Sequence, residues 1–372
     1  MAMKICVIGT RGFPFIQGGV EKHCECLYKL FPDSDKIIVF RRKPYVSKTP
    51  QYPQIKFIDL PSTQIKGFEA AFHSLLATLY TLALHPDIAH IHNIGNALYT
   101  PILRLFGIKV ILTYHSPNYE HAKWGKIAKQ ILKFSELIAL QSSNAVIFVN
   151  KFQMMKYSKR VSKKSIYIPN GIDRSSTVIS NDILKKFSLE PQNYILGVGR
   201  ITPEKGFDCL IKAFNAIENK NIKLVIAGGV ETESKYCEEL KSLCQFPEKT
   251  IFTGALCAEK LAQLYNNASL FVLSSFNEGF PIVLLEAMSH GCNILVSDIP
   301  ACKLLNFNKS NYFRCGDSQH LTKQINSAIT QGPVKSDYDL SEYDWHKIAQ
   351  KTIHFFKSTT KQLKSTDHIN TF

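Results

Sequence analysis

The 372-residue sequence holds ten cysteines but no CxxC pair and no metal-like cysteine spacing. The thiols therefore read as reduced and mostly buried, the cysteine usage of a cytosolic protein. Long apolar runs are missing as well. The longest apolar-rich stretch, Ala70–Leu84, is interrupted by His73 and several hydroxyls and is too short to cross a bilayer. Lys4–Gly9 is too brief for the core of a signal sequence, so no cleaved leader is expected. No internal repeat or low-complexity tract stands out. The first glycine-rich loop, Gly9-Thr-Arg-Gly12 to Gly18-Gly19-Val-Glu, lacks G-x-G-x-x-G spacing. The next apolar run ends in Arg41-Arg42-Lys43 rather than an acidic residue, which argues against NAD binding. Acidic residues are scarce in the first half: residues 1–175 carry 24 Lys+Arg against 10 Asp+Glu, a net of +14 within the chain's +15. That excess implies an anionic partner for this half. It is not interleaved with aromatics in any nucleic-acid-binding module, so a nucleic acid is the remote alternative.

What is present is ordinary globular composition, 45% hydrophobic and 20% charged. The length exceeds what one core usually supports, so two domains are expected. Apolar runs at Lys4–Gly9, Ile37–Phe40, Ile55–Leu60, Ile88–His92, Val110–His115, Ala145–Val149 and Ser165–Ile168 read as strands separated by helical stretches. Pro169–Asp173 breaks the pattern, and the polar Arg174–Asn181 reads as a linker. A second alternating set begins at Tyr194, and a last helix is expected over residues 343–364, ahead of a frayed polar tail. The domains are thus expected at 1–172 and 182–342, each a doubly wound parallel α/β sheet.

One stretch organises the rest: Phe271–Asp298, FVLSSFNEGFPIVLLEAMSHGCNILVSD. A buried strand, a polar loop, a helix with Pro281 as its first residue, Gly291 closing it and a second strand follow in order. Such a helix N-terminus at the carboxyl end of a sheet is an anion site. Glu278 precedes it, and Glu286 lies five residues past Pro281, roughly 7–8 Å along the axis. A diphosphate on the amides of Gly279, Phe280, Ile282, Val283 and Leu284 would have a carboxylate on each side. Carboxylates accept paired hydrogen bonds from neighbouring hydroxyls, so a nucleoside-diphosphate sugar fits.

NEGFPIVLLEAMSHGCNILVSD resembles the signature of the retaining glycosyltransferases of family 4. The resemblance implies a GT-B fold, two Rossmann-like domains facing across a cleft. It further implies Glu278 at the donor sugar and Glu286 at the ribose. Gly199-Arg200-Ile-Thr-Pro-Glu-Lys205-Gly206 is similar to the family's GR…KG motif, with Arg200 and Lys205 on the diphosphate. Gly18-Gly19 matches a glycine pair lining the family's cleft. A family histidine directed at the donor sugar corresponds to His115, and His92 is a second cleft candidate. In His90-Ile-His92 one histidine is expected on each side of the sheet. His115–Leu140 more specifically resembles rhamnosyl- and polysaccharide glycosyltransferases.

On a helical wheel Lys126, Lys129 and Lys133 share an arc beside Trp124, Ile127, Ile131 and Phe134, a pattern suited to an anionic membrane surface. Asp33-Ser-Asp35 is formally the metal clamp of another glycosyltransferase class. It lies beside a proline with no apolar run before it and reads as a turn, so no metal is expected. The reading is a cytoplasmic enzyme, peripheral on the inner face of the cell membrane. It would move a sugar from a nucleotide sugar to a glycan or lipid-linked acceptor for cell-surface polysaccharide, with no cofactor besides that co-substrate. A nucleotide-sugar hydrolase or epimerase on the same fold stays open as the alternative.

Overall fold

Short apolar runs alternating with amphipathic stretches fold into two parallel sheets in the computed structural model. It describes residues 2–361 other than 47–49, 64, 66–67, 121–123, 174–179, 220, 231–234 and 333. Met1–Gly171 with the segment beginning at Trp345 forms one unit, and Ile172–Asp344 the other.

In the first unit, β1 (Lys4–Ile8), β2 (Lys36–Arg42), β3 (Ile55–Leu60), β4 (Ile88–His92), β5 (Lys109–Tyr114), β6 (Ala145–Phe148) and β7 (Ser165–Tyr167) are joined, among the described residues, by five α-helices. These are α1 (Gly19–Tyr28), α2 (Glu69–Leu84), α3 (Thr100–Leu105), α4 (Lys126–Ser142) and α5 (Lys151–Val161). The sheet order is β3-β2-β1-β4-β5-β6-β7, parallel throughout. Alternate strand residues feed opposite faces. Ile5 and Val7 join the core under the last helix, Trp345–Lys361, with Trp345, Ile348 and Phe356. Cys6 and Ile8 join the opposite core with Phe40, Ala77, Leu103 and Leu140. Each such fully buried large aliphatic side chain contributes about 1.5–3 kcal/mol, which is why both faces of the sheet are apolar.

The second unit strings β8 (Tyr194–Val198), β9 (Lys223–Ala227), β10 (Thr250–Gly254), β11 (Leu270–Leu273), β12 (Ile294–Ser297) and β13 (Tyr312–Phe313) in the order β10-β9-β8-β11-β12-β13. Its helices are α6 (Asp182–Lys186), α7 (Phe207–Asn215), α8 (Lys235–Leu243), α9 (Ala258–Asn267), α10 (Ile282–Ser289), α11 (Pro300–Lys303) and α12 (Ser318–Thr330). Strand order reverses at β1 in the first sheet and at β8 in the second. The loops after β1/β4 and β8/β11 therefore open at the crevices where such sheets bind ligands.

Some expectations need correction. Pro281 is the N-cap, with φ −76° and ψ 103°, and the helix begins one residue later at Ile282. The short helices α6 and α11 were not expected, because four or five residues cannot display a helical period. Asp182–Lys186 begins directly after the expected linker, of which 174–179 lie outside the described residues. The expected helix end at 362–364 and the tail 364–372 also lie outside them. Asp33-Ser-Asp35 is a turn, and buried Asp35 accepts the Met3 amide at 2.8 Å. Among the described residues, no helix is long and apolar enough to cross a membrane.

Candidate active site

In the second unit the loops after β8 and β11 are fastened together. Gly206 has φ +63°, and a Cβ there would sit 2.1 Å from the Ser274 carbonyl oxygen, so only glycine permits this approach. The Phe276 amide donates to the Glu204 carbonyl at 2.9 Å, and the Ser274 hydroxyl donates to the Lys205 carbonyl at 2.9 Å. This clamp brings Lys205 and Glu278 together from 73 residues apart. Lys205 Nζ donates to Glu278 Oε1 at 2.6 Å, and Ser275 Oγ donates to the same oxygen at 2.6 Å. The two side chains are 16% and 11% exposed. Arg200 Nη2 lies 3.9 Å from Glu204 Oε1, beyond hydrogen-bond reach.

Beside them α10 starts. Its Leu284 amide donates to the Pro281 carbonyl at 3.1 Å and the Leu284 side chain is fully buried. Pro281 has no N–H, so the helix-end donors narrow to Ile282 and Val283. One and a half turns on, Glu286 Oε2 accepts from the Tyr265 hydroxyl at 3.0 Å. Burial, then the Glu286 charge, raises the Tyr265 pKa far above its ordinary value, so this phenol is a permanent donor. Tyr265 and Ser275 were not singled out from the sequence. Neither belongs to a motif with Glu286 or Lys205, although Ser275 does lie in the organising stretch.

In the first unit, Gly18 and Gly19 open α1. A Cβ on Gly18 would lie 2.0 Å from Glu21 Oε2, whereas one on Gly19 would meet nothing within 4 Å. Glu21, nearly buried, accepts from Arg11 Nε and the Arg11 amide, both at 3.2 Å, which pins the preceding loop to the helix. His92 ends β4 and His115 follows β5. His92 Nδ1 lies 3.0 Å from His115 Nε2. The expectation that His90 and His92 face opposite sides is wrong. Residues two apart in a strand share a face, and both rings reach the Tyr28 hydroxyl, at 2.6 Å and 2.8 Å. His23 of α1 joins them with ring centroids 4.9 Å from His115 and 5.6 Å from His92. Burial first, then neighbouring imidazoles, pushes His92 and His115 well below the ordinary histidine pKa, and burial pushes His23 down to about 4.

The basic stripe is on α4. Lys126 and Lys133 are exposed and Lys129 is half-buried. Ile127, Ile131 and Phe134 are 79%, 55% and 59% exposed, and Trp124 is half-buried. Helix α3, packed beside α4, adds Ile102 and Leu105, and Phe106 follows it; all three are exposed.

Comparison with known proteins accounts for both units. The family model described as Glycosyltransferase Family 4 matches residues 17–176, and that described as Glycosyl transferases group 1 matches 180–345. An uncharacterized glycosyltransferase of Methanocaldococcus jannaschii is 32% identical over 180 residues, 45% of each chain. The serotype-specific mannosyltransferase WbdA of Escherichia coli is 24% identical over 273 residues, 68% of this chain and 32% of that one. The matched regions thus span less than half the length of either relative. Among solved structures, sucrose-phosphate synthase of Thermosynechococcus elongatus superposes with a TM-score of 0.79 at 21% identity, covering 96% of this chain and 98% of that one. Anabaena HepE, in complex with UDP and glucose, gives 0.76 at 17% identity, covering 96% and 100%. These likenesses show the GT-B fold.

Proposed function

The chain belongs to glycosyltransferase family 4, and from that premise we propose that it is a retaining enzyme. It transfers a sugar from a nucleoside-diphosphate sugar to a glycan or lipid-linked acceptor in cell-surface polysaccharide synthesis. The observation that carries this reading is the Lys205–Glu278 pair, 2.6 Å apart, set beside the α10 N-terminus at the switch point of the second sheet. At rest Lys205 and Glu278 neutralise each other. A diphosphate engages Lys205, Arg200 and the amides of Ile282 and Val283, which releases the Glu278 carboxylate to accept hydroxyls of the sugar. Glu286, held by Tyr265, accepts both ribose hydroxyls. HepE binds UDP, which supports a donor of this class.

The bond from the anomeric carbon to the phosphate oxygen breaks while the acceptor oxygen bonds that carbon on the same face. The departing phosphate takes the acceptor proton. Charge developing on it is met by Arg200, Lys205 and the helix end, with no divalent ion in the step. The first unit holds the acceptor near Gly18 and Gly19. It docks on anionic lipid through the exposed apolar residues of α3 and α4 and the adjacent lysines, which places the enzyme peripherally on the inner face of the cell membrane. The test is to incubate the chain with UDP-, GDP- and dTDP-sugars and membrane-derived acceptor. A glycosylated product keeping the donor's anomeric configuration is expected. Free sugar alone, or an isomerised nucleotide sugar, would instead establish the hydrolase or epimerase.

A further inference from the structure

We propose that His23, His92 and His115 form a binding site for one divalent transition-metal ion of the zinc type, built wholly within the first unit. The three come from α1, the end of β4 and the residue after β5, and they are 3%, 0% and 7% exposed. One nitrogen of each lies within 4.8 Å of the other two, and His92 Nδ1 is 3.0 Å from His115 Nε2. Three imidazoles held at about 2 Å from one ion at tetrahedral angles have nitrogens about 3.3 Å apart and ring centroids about 5 Å apart. The observed centroids are separated by 4.9, 5.3 and 5.6 Å, close to that spacing.

The outer nitrogens of His23 and His92 are held as those of ligating histidines usually are, by a second partner that fixes ring and tautomer. His23 Nδ1 lies 2.8 Å from Asn170 Oδ1. That amide oxygen only accepts, so Nδ1 carries the proton and Nε2 carries a lone pair. Nε2 is buried and has no hydrogen-bond partner among the described residues, a state that natural interiors avoid. His92 Nε2 is held by the Tyr28 hydroxyl at 2.8 Å, turning Nδ1 inward. Tyr28 is itself tied to His90 Nδ1, and His90 Nε2 to Thr113 Oγ1 at 2.7 Å. Trp345 packs edge-on against His23 at 5.5 Å, an apolar wall of the kind that shields metal sites.

An all-imidazole set selects zinc, copper, nickel or cobalt over magnesium, calcium or manganese. Three protein ligands leave a fourth position for water. An ion here would join α1 to the carboxyl ends of β4 and β5. It would give His115 a task other than the donor-sugar contact that the family resemblance implies. The inference does not depend on the proposed transfer reaction.

The test uses the full chain without a polyhistidine tag, stripped with chelator, desalted and titrated with Co2+ in the absence of any sugar nucleotide. One equivalent with the strong visible absorption of four-coordinate cobalt is expected, displaced by Zn2+, together with a rise in melting temperature. His23→Gln should weaken Zn2+ by more than about a hundredfold. Asn170→Leu, which only releases the ring, should weaken it by about 10- to 100-fold and serves if the first variant does not fold. His73→Gln, a buried histidine outside the cluster, should bind as the parent does. A spectrum that stays that of the hexaaqua ion, a thiolate-to-cobalt band assigning the metal to cysteines, or equal affinity in both cluster variants would each overturn the site. A null result here leaves the transferase reading standing. Normal Zn2+ binding with no glycosyl transfer would overturn only the transferase reading.

Discussion

The two units both place polar groups at the carboxyl ends of their sheet strands, yet with opposite electrostatics. At the β8/β11 crevice the groups are ions: Lys205 and Glu278 paired at 2.6 Å, Arg200 close to Glu204, and Glu286 held by a phenol. At the β4/β5 ends they are neutral rings, His23, His92 and His115, almost wholly buried. A paired cation can exchange its protein partner for an anionic ligand. Imidazoles out of water lose their charge and keep lone pairs. The second unit thus offers groups suited to the proposed charged donor, and the first a set of neutral nitrogen donors.

Removing the cation is expected to break this comparison most sharply. Lys205→Ala should lower kcat by about 10²–10³, with added Mg2+ or Mn2+ restoring none of it. Steady-state kinetics with and without each ion checks this, and rescue by manganese would move the charge stabilisation onto a metal. Next comes the triple change of Lys126, Lys129 and Lys133 to Gln. At about 1 kcal/mol per lysine near an anionic surface, partitioning onto anionic vesicles should fall about a hundredfold, less at high salt. Cosedimentation measures it, and unchanged binding would return the stripe to a solvated helix face.

A smaller effect concerns the neutral interior of the first unit. His73 is fully buried and its pKa is lowered to about 4, chiefly by burial and then by the Arg42 charge. The folded state thus resists protonation below the ordinary value of 6.5. Its stabilising effect is complete above about pH 6.5 and is lost as pH falls toward 4. His73→Leu should flatten that loss by about 1–2 kcal/mol at pH 5, on the order expected from linkage, seen in melting temperatures from pH 7 to 5. Parallel curves for parent and variant would contradict it. The smallest effect is expected for Tyr265→Phe. Losing one hydrogen bond to Glu286 should raise the donor KM about 3- to 10-fold with little change in kcat.

The strand, loop and helix that carry the proposed donor site were legible because they are local. Glu278, Pro281, Glu286 and Gly291 all fall within one strand–loop–helix–strand, and the Arg200 to Gly206 loop is a motif of its own. Glycine punctuation and the proline placed the start of α10 to within one residue, and the family motif pointed to Arg200 and Lys205. Ser275 and Tyr265 were not legible in their roles. Each is an ordinary serine or tyrosine until the fold delivers it to a carboxylate. The histidine cluster shows the limit more plainly. His23 and Asn170 are 147 positions apart, and no spacing rule joins them. The face shared by His90 and His92 was readable from strand periodicity but was read wrongly. The Leu284 amide was counted as a site donor because first-turn amides are unpaired in general, whereas here it turns back onto Pro281.

The central claim is that the carboxylates on either side of the α10 N-terminus have separate tasks on one donor. Steady-state kinetics of Glu278→Ala and Glu286→Ala against varied nucleotide sugar, with diphosphate affinity measured alongside, tests it most directly. Glu278→Ala should lose mainly kcat, because its contact lies beside the reacting carbon. Glu286→Ala should mainly raise KM and weaken the diphosphate, because its ribose contact exists in the ground state as well. Parental turnover and affinity in both variants, or the opposite split, would contradict the account.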